Sequence, residues 1–221
     1  MLKMGIYGVV RWMVPLAPEA LHWWAPIFLG LAVFGIVYAS IIAIKQSDLK
    51  RLIAYSSIAH VGLIAAGVLA WNKTGVQGGM IQMFSHGINV VGLFFVADLL
   101  ERRLGSRALF DMGGIARSAP RLAALFMIVT LGAVAVPLTN GFPGEFLLLN
   151  GVWSYNNWLG AGAGLTIILG AVYMLRAYGL SMFGEANRQT ETFEDVNIRE
   201  FIVLGTVAGV VLLIGFFPQW I

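Results

Sequence analysis

The sequence contains no cysteine, and this absence excludes several kinds of site. A chain without thiols forms no disulfide, holds no iron–sulfur cluster through cysteine and builds no zinc site from thiolates. The absence does not distinguish an oxidising compartment from a reducing one.

Charged residues are also scarce, since they make up 11% of the chain while apolar residues make up 59%. A soluble domain of this length exposes many more Asp, Glu, Lys and Arg side chains. The net charge of +3 is too small to indicate a nucleic-acid partner. The composition therefore predicts an integral membrane protein surrounded by a lipid bilayer.

Several apolar windows of about 18 residues or more are long enough to cross a hydrocarbon core of about 30 Å. The first apolar segment, 1–14, ends at Pro15 and is too short to cross. We expect it to be the last part of a helix that begins further upstream. The other predicted spans are 23–44, 51–70, 76–100, 120–155, 157–183 and 198–217.

The span 120–155 is too long for one straight helix, and two prolines within 137–144 interrupt it. Backbone groups freed at membrane depth are tolerated only where they face protein or water. We therefore expect one crossing made of two half-helices. The predicted fold class is all-α: a polytopic transmembrane helical bundle with one discontinuous helix, about six full spans and a partial first helix.

When successive spans cross the membrane in alternating directions, most basic residues fall on one face of the membrane. The other face receives Lys73, with Arg11 near it. The positive-inside rule assigns the basic face to the cytoplasm, so we expect a bacterial inner membrane protein whose C-terminus is on the outer face. The residues of the basic face are Lys45, Lys50, Arg51, Arg102, Arg103, Arg107, Arg117, Arg121, Arg188 and Arg199.

Four ionisable residues lie inside apolar segments: Lys3, His60, His86 and Glu145. A charge at mid-bilayer costs about 3 kcal/mol, so such residues are functional candidates. Histidine changes its charge closest to neutral pH, and neighbouring polar side chains can hold ordered water. The set therefore suits proton transfer. The supporting polar residues are Tyr7, Tyr55, Ser56, Ser57, Ser85, Asn89 and Asn140.

Each candidate also has a structural alternative. A membrane histidine often forms a hydrogen bond between helices, and Lys3 could extend from a helix end towards the headgroups. His60 and His86 could also ligate a haem, although no second histidine pair is present for a second haem. Four groups of mixed type on separate helices favour proton transfer. We expect interfacial anchoring from Arg11, Asp98, Glu101 and Arg176.

Three motifs contain these residues: QSDLKRLIAYSSIAHVG at 46–62, IQMFSHG at 81–87 and TNGFPGEF at 139–146. In sequence and order they resemble the signatures of antiporter-like subunits of proton-pumping NADH:quinone oxidoreductase, respiratory complex I. The resemblance runs over essentially the whole chain. It implies a fold with two inverted helical bundles, each with a discontinuous helix.

Glu145 indicates which type of antiporter-like subunit the chain resembles. Sister antiporter-like subunits and related cation/proton antiporter subunits usually have lysine at the matching position, whereas glutamate resembles the M-type subunit, the counterpart of mitochondrial subunit 4. By this resemblance, Lys3 links two half-channels, His60 and His86 form the central relay, and Glu145 is the terminal acid on the exit side.

The resemblance further implies a proton-translocating subunit with no catalytic residue, metal or cofactor of its own. NADH, FMN, iron–sulfur clusters and quinone belong to the parent complex, and the partners are the other membrane-arm subunits, including the sister antiporter-like subunits, and the lipid bilayer. We expect the end of a missing N-terminal bundle at 1–14, a five-helix bundle at 15–183, and a polar loop with the final helix at 184–221.

Other interpretations remain open at this point. In these interpretations the chain is a subunit of a multisubunit sodium/proton antiporter, a subunit of a membrane-bound hydrogenase, or an inactive product of truncation. We expect a C-terminal half, either as a fragment or as a truncated gene translated from an internal methionine, Met1 or Met4.

Overall fold

A computed structural model of the protein describes residues 2–220, and long helices account for most of that range. Met1 and Ile221, the outermost residues of the predicted segments 1–14 and 184–221, lie outside the described residues. The long helices are α1 (Leu2–Gly8, continuing to Leu16), α2 (Pro18–Lys45), α3 (Leu49–Leu69), α4 (Lys73–Leu104), α5 (Pro120–Ala133), α6 (Gly141–Tyr155), α7 (Asn157–Met182) and α8 (Ile198–Phe216).

Five of these helices are long and apolar enough to cross a membrane. They are α2, α3, α4, α7 and α8, and each coincides with a predicted span to within a few residues. The span 120–155 consists of α5 and α6, separated by a non-helical stretch after Ala133. The predicted polytopic bundle with one discontinuous helix is therefore confirmed.

The first segment extends one residue beyond the predicted end at Pro15. A π-helical turn, Val9–Met13, widens the helix so that the Val14 N–H donates to the carbonyl of Val9. This wider turn precedes the proline, which cannot donate a backbone hydrogen bond of its own. The helix ends at Leu16, and Pro18 occupies the first turn of α2, where a missing N–H costs nothing.

Asparagine and aspartate side chains begin four of the membrane helices. Asp48 accepts from Arg51 N at 2.9 Å at the start of α3, and Asn72 accepts from Gly75 N at 2.8 Å at the start of α4. Asn156 caps α7, and Asn197 caps α8. These caps supply acceptors to backbone N–H groups that have no partner inside the helix.

The α4–α6 contact is made through glycine. A Cβ atom on Gly78 would lie 2.7 Å from the backbone nitrogen of Leu148, and a Cβ atom on Gly151 would lie 2.7 Å from the Cα of Gly75. No side chain separates the two backbones at these points, which is how small residues let membrane helices approach closely. This approach determines which polar side chains of α4 and α6 can meet.

The break between α5 and α6 has a well-defined backbone. Ala135 and Leu138 adopt positive φ angles of 57° and 73°, which residues other than glycine rarely do. The Thr139 hydroxyl donates to the Val136 carbonyl at 2.6 Å. The Asn140 N–H donates to the carbonyl of Val211 on α8 at 2.9 Å, so the final helix supports the break directly.

The two ends of the bundle differ in composition. At one end Lys50 pairs with Asp98 and Glu101, and Arg107 pairs with Glu101. Arg176 at this end donates to carbonyls at the end of α2, at 3.3 Å from Ile44 O and from Gln46 O. The helix order places every tryptophan side chain that the structure describes at the opposite end: Trp12, Trp23, Trp24, Trp71, Trp153 and Trp158.

The polar segment between α7 and α8 is ordered and contains the short helix Arg188–Glu191. The carboxylate of Asp195 accepts from Arg121 N at 3.1 Å and from Leu122 N at 3.0 Å. Asp195 therefore caps the start of α5 from a distant part of the chain, which the local sequence of α5 does not indicate.

Gly215 offers a test of the support that α8 gives to the break. A Cβ atom there would overlap the Leu138 carbonyl, whereas Gly209 on the same helix has nothing within 4 Å of that position. We expect Gly215→Ala to destabilise the protein by about 1–3 kcal/mol, since overpacking forces a backbone shift. Thermal unfolding in detergent, followed by tryptophan fluorescence, measures this.

Gly209→Ala is the matched control, and it should leave the melting temperature unchanged or slightly raised because alanine favours helix. Equal melting temperatures for the two variants would show that α8 does not support the break in this way.

Candidate functional site

Three of the four predicted ionisable residues meet in the centre of the bundle. His60 comes from the middle of α3, His86 from the middle of α4, and Glu145 from just after the start of α6. Their exposed fractions are 5%, 4% and 3%, so all three are buried. The structure therefore brings together three groups from three separate helices.

The shortest link is between His60 and Glu145. The His60 Nε2 atom lies 3.3 Å from the Glu145 Oε1 atom. The same Nε2 lies 3.1 Å from the carbonyl oxygen of Ala133, and Nδ1 lies 2.7 Å from the carbonyl oxygen of Ser56. A neutral imidazole has one N–H, so only the doubly protonated ring can donate to acceptors on both sides. The arrangement accommodates an imidazolium paired with a carboxylate.

The Ala133 carbonyl is available to His60 because the helix is broken. In a continuous helix it would accept from the N–H of the residue four positions later. That residue is Pro137, which has no N–H. The freed carbonyl at membrane depth faces a polar side chain of the protein, as the sequence led us to expect.

His86 lies beside His60, with ring centroids 5.1 Å apart and planes tilted by 59°. Its Nδ1 atom is buried and has no hydrogen-bond partner among residues 2–220. Both rings line a small cavity of about 10 Å³, which has room for about one water molecule. Several polar groups face this cavity, so a single ordered water can complete hydrogen bonds among them. The lining consists of Ser56, His60, Gln82, His86, Asn89, Val90, Leu93 and Ala133.

Lys3 is more loosely connected to the site. It is half-buried on α1 and, within residues 2–220, takes part in no hydrogen bond or ion pair. Its charge lies within electrostatic reach of His86. Helix α1, which carries Lys3, packs against α3, the helix of His60.

The supporting residues divide into two groups. Ser56 supplies its carbonyl to His60, and Asn140 donates through Nδ2 to the carbonyl of Ser85 at 3.1 Å. These residues and Asn89 are buried in or beside the site, and the Ser57 hydroxyl is buried on the same helix as His60. Tyr7 is 57% exposed and Tyr55 packs against an apolar cluster, so neither is placed in the centre.

Gln82 is a site residue that the sequence analysis did not single out. It is buried, and its Nε2 donates to Glu145 Oε1 at 3.1 Å. A signal was present in the sequence, because Gln82 lies four positions before His86 and therefore on the same helix face. Its partner could not be predicted, since the contact depends on the glycine-mediated approach of α4 and α6.

The geometry is also informative about metals and haem. Within the part of the chain that the structure describes, no three His, Asp or Glu side chains converge on a point that would hold a metal ion. The two histidine rings are already in close contact, and the cavity of about 10 Å³ beside them is far smaller than a haem. A haem between His60 and His86 would require the helices to separate.

Comparison with known proteins agrees with these observations. A family model for the transmembrane NADH:quinone oxidoreductase/Mrp antiporter proteins matches residues 1–171. NADH-quinone oxidoreductase subunit M of Rickettsia bellii is 40% identical over 220 residues, which are 99% of this chain and 44% of the relative. The chain thus spans less than half the length of this relative. The predicted resemblance to M-type subunits is confirmed.

Solved structures agree as well. A chain of respiratory complex I from Thermus thermophilus with bound NADH superposes with a TM-score of 0.94 at 34% identity, covering 99% of this chain and 46% of that chain. The Mrp complex from Dietzia sp. DQ12-45-1b has the same fold, with a TM-score of 0.82 at 16% identity over 89% of this chain and 45% of that chain. From the family match over residues 1–171, the chain belongs to the NADH:quinone oxidoreductase/Mrp antiporter family of transmembrane proteins.

Proposed function

We propose that this chain moves protons across a membrane as part of an M-type subunit of NADH-quinone oxidoreductase. The observation that carries the proposal is the buried His60–Glu145 contact of 3.3 Å, which lies inside apolar helices with His86 beside it. Ionisable groups at membrane depth are costly and mark proton pathways. The similarity to subunit M of Rickettsia bellii supports the same assignment.

The contacts favour the order His86, His60 and then Glu145 within the proton relay, which Lys3 feeds. The His86 ring lies beside His60, and His60 contacts Glu145 directly. The Nδ1 of His60 is held by the Ser56 carbonyl, so Nε2 is the nitrogen that exchanges protons. The Nε2–H bond breaks as an O–H bond forms on Glu145, and His60 is then reprotonated from the His86 side.

The orientation of the subunit follows from its charge distribution. We place the end that carries the Lys50 and Arg107 ion pairs in the cytoplasm of a bacterium, and the tryptophan-rich end with the C-terminus outside. Glu145 follows the break on the way to the outer end. It therefore acts as the group that releases protons outwards.

Within this proposal the chain carries out no redox step, metal chemistry or cofactor binding of its own. NADH oxidation and quinone reduction take place elsewhere in the complex, and the chain works together with the other membrane-arm subunits, sister antiporter-like subunits included. The predicted division into 1–14, 15–183 and 184–221 describes the end of an N-terminal bundle, the relay bundle and a polar loop with α8. In that division α8 also supports the relay bundle, because the carbonyl of Val211 on α8 accepts from the Asn140 N–H at the break.

A sodium/proton antiporter subunit is the second candidate, because the fold is shared with the Mrp complex of Dietzia. The two candidate functions differ in the energy source that drives proton movement. We expect pumping by the whole complex in vesicles to require NADH and to persist without sodium. Proton movement that is driven by a sodium gradient, without NADH, would favour the antiporter instead.

Glu145→Gln tests the central role of the carboxylate. Glutamine keeps the shape of the side chain but accepts no proton, so we expect the proton-pumping rate of the full-length subunit in its complex to fall about a hundredfold. Acidification of vesicles after addition of NADH measures the rate.

Glu185→Gln is the matched control, because Glu185 is an exposed carboxylate in the segment after α7. It should pump at the wild-type rate. A wild-type rate for Glu145→Gln itself would remove Glu145 from the pathway.

A further inference from the structure

We infer that Gln82 is a positioning residue for Glu145, and that its amide serves the carboxyl group in both of its protonation states. The inference rests on the proposed function, since it matters only if Glu145 gains and loses a proton during turnover. It adds to the relay a residue that neither takes up nor releases a proton.

Two donors converge on one oxygen of Glu145. Gln82 Nε2 lies 3.1 Å from Oε1, and His60 Nε2 lies 3.3 Å from the same atom. Gln82 is 2% exposed, so water does not compete freely for this hydrogen bond. A hydrogen bond to a charged group is stronger than one between neutral groups. Together the two donors hold the carboxylate next to the ring with which it exchanges a proton.

The place of Gln82 is fixed by the packing of α4 on α6. A Cβ atom on Gly144 would lie 2.5 Å from Gln82 Oε1 and 2.9 Å from Gln82 Cβ. The glycine immediately before Glu145 therefore makes room for the glutamine. Gly78 lies one turn earlier on α4, and a Cβ atom there would lie 2.7 Å from the backbone nitrogen of Leu148 on α6. The close approach of the α4 and α6 backbones thus holds the Gln82 amide against the start of α6, and these backbones cannot easily move apart.

The oxygen of the Gln82 amide is placed differently from the nitrogen. Gln82 Oε1 is buried and forms no hydrogen bond within the described residues. An unpaired buried carbonyl oxygen is unfavourable, so its presence beside a titratable group calls for a reason. When Glu145 is protonated, its O–H needs an acceptor. A rotation of the terminal amide brings Oε1 into the place of Nε2 and supplies that acceptor.

A primary amide can either donate to the carboxyl group or accept from it at one position, because it carries a donor and an acceptor on the same planar group. Methionine has nearly the same length but offers no donor, and lysine offers no acceptor. The titratable groups that face this amide are Glu145 and His60, with His86 on the same face of α4 one turn further along. The glutamine therefore fits a carboxyl group that alternates between two states.

Infrared spectroscopy tests the contact without relying on pumping. On acidification of the chain in lipid vesicles, the C=O stretch of protonated Glu145 is identified as the band that Glu145→Gln removes. In Gln82→Met we expect this band to move to higher frequency, because the acid has lost its hydrogen-bond partner. An unchanged band in Gln82→Met would overturn the inference.

Gln77→Met is the matched control, since Gln77 is exposed on the same helix, and it should leave the band at the wild-type frequency. If Gln82→Met does not fold, Gln82→Asn replaces it. Asparagine keeps the amide but is one methylene shorter, so it should show the same shift, and an unshifted band would again overturn the inference.

The pumping rate links the contact to function. In the full-length subunit within its complex, Gln82→Met should pump about tenfold more slowly, as expected for the loss of a hydrogen bond to a charged group. Gln77→Met should pump normally. Wild-type pumping by Glu145→Gln would refute the proposed function and with it the positioning role, whereas wild-type pumping by Gln82→Met together with slow pumping by Glu145→Gln would refute the positioning role alone.

Discussion

The contact between His60 and Glu145 is the interaction on which the rest of the structure depends. Removing two ionisable groups from water costs several kcal/mol each, and the cost is offset only when the pair has good geometry and further hydrogen bonds. The structure meets both conditions. The carbonyls of Ser56 and Ala133 accept from the ring, and Gln82 donates to the carboxyl group. The polar centre is therefore built from backbone and side chains together, inside helices that are otherwise apolar.

The broken crossing and the glycine contacts make this centre possible. Pro137 leaves the Ala133 carbonyl without an intrahelical donor, and His60 supplies one. The glycine-mediated approach of α4 and α6 brings Gln82 to the start of α6, next to Glu145. The final helix holds the break in shape through the Val211 carbonyl. A kink without these contacts would leave polar backbone groups unpaired at membrane depth.

The sequence alone was sufficient for features that depend on local composition. Apolar length predicted the spans, the prolines predicted the break, and the isolated charges singled out His60, His86 and Glu145 as candidates for proton transfer. Contacts that depend on how helices pack were not predictable: the partner of Gln82, the cap that Asp195 places on α5, and the support of the break by α8. Each joins positions far apart in the sequence, and a single sequence without interhelical distances does not specify them. Tyr7 and Tyr55 were chosen for chemical type and proximity in sequence, and both lie outside the centre.

A double-mutant cycle tests most directly whether His60 and Glu145 act as one unit in proton transfer. The proton-pumping rates of the complex would be measured for wild type, His60→Asn, Glu145→Gln and the double variant. Residues that act as a unit are strongly non-additive, so we expect the double variant to pump no more slowly than the worse single variant. A double variant whose loss equals the product of the two single losses would show that the residues act independently, and would contradict the account.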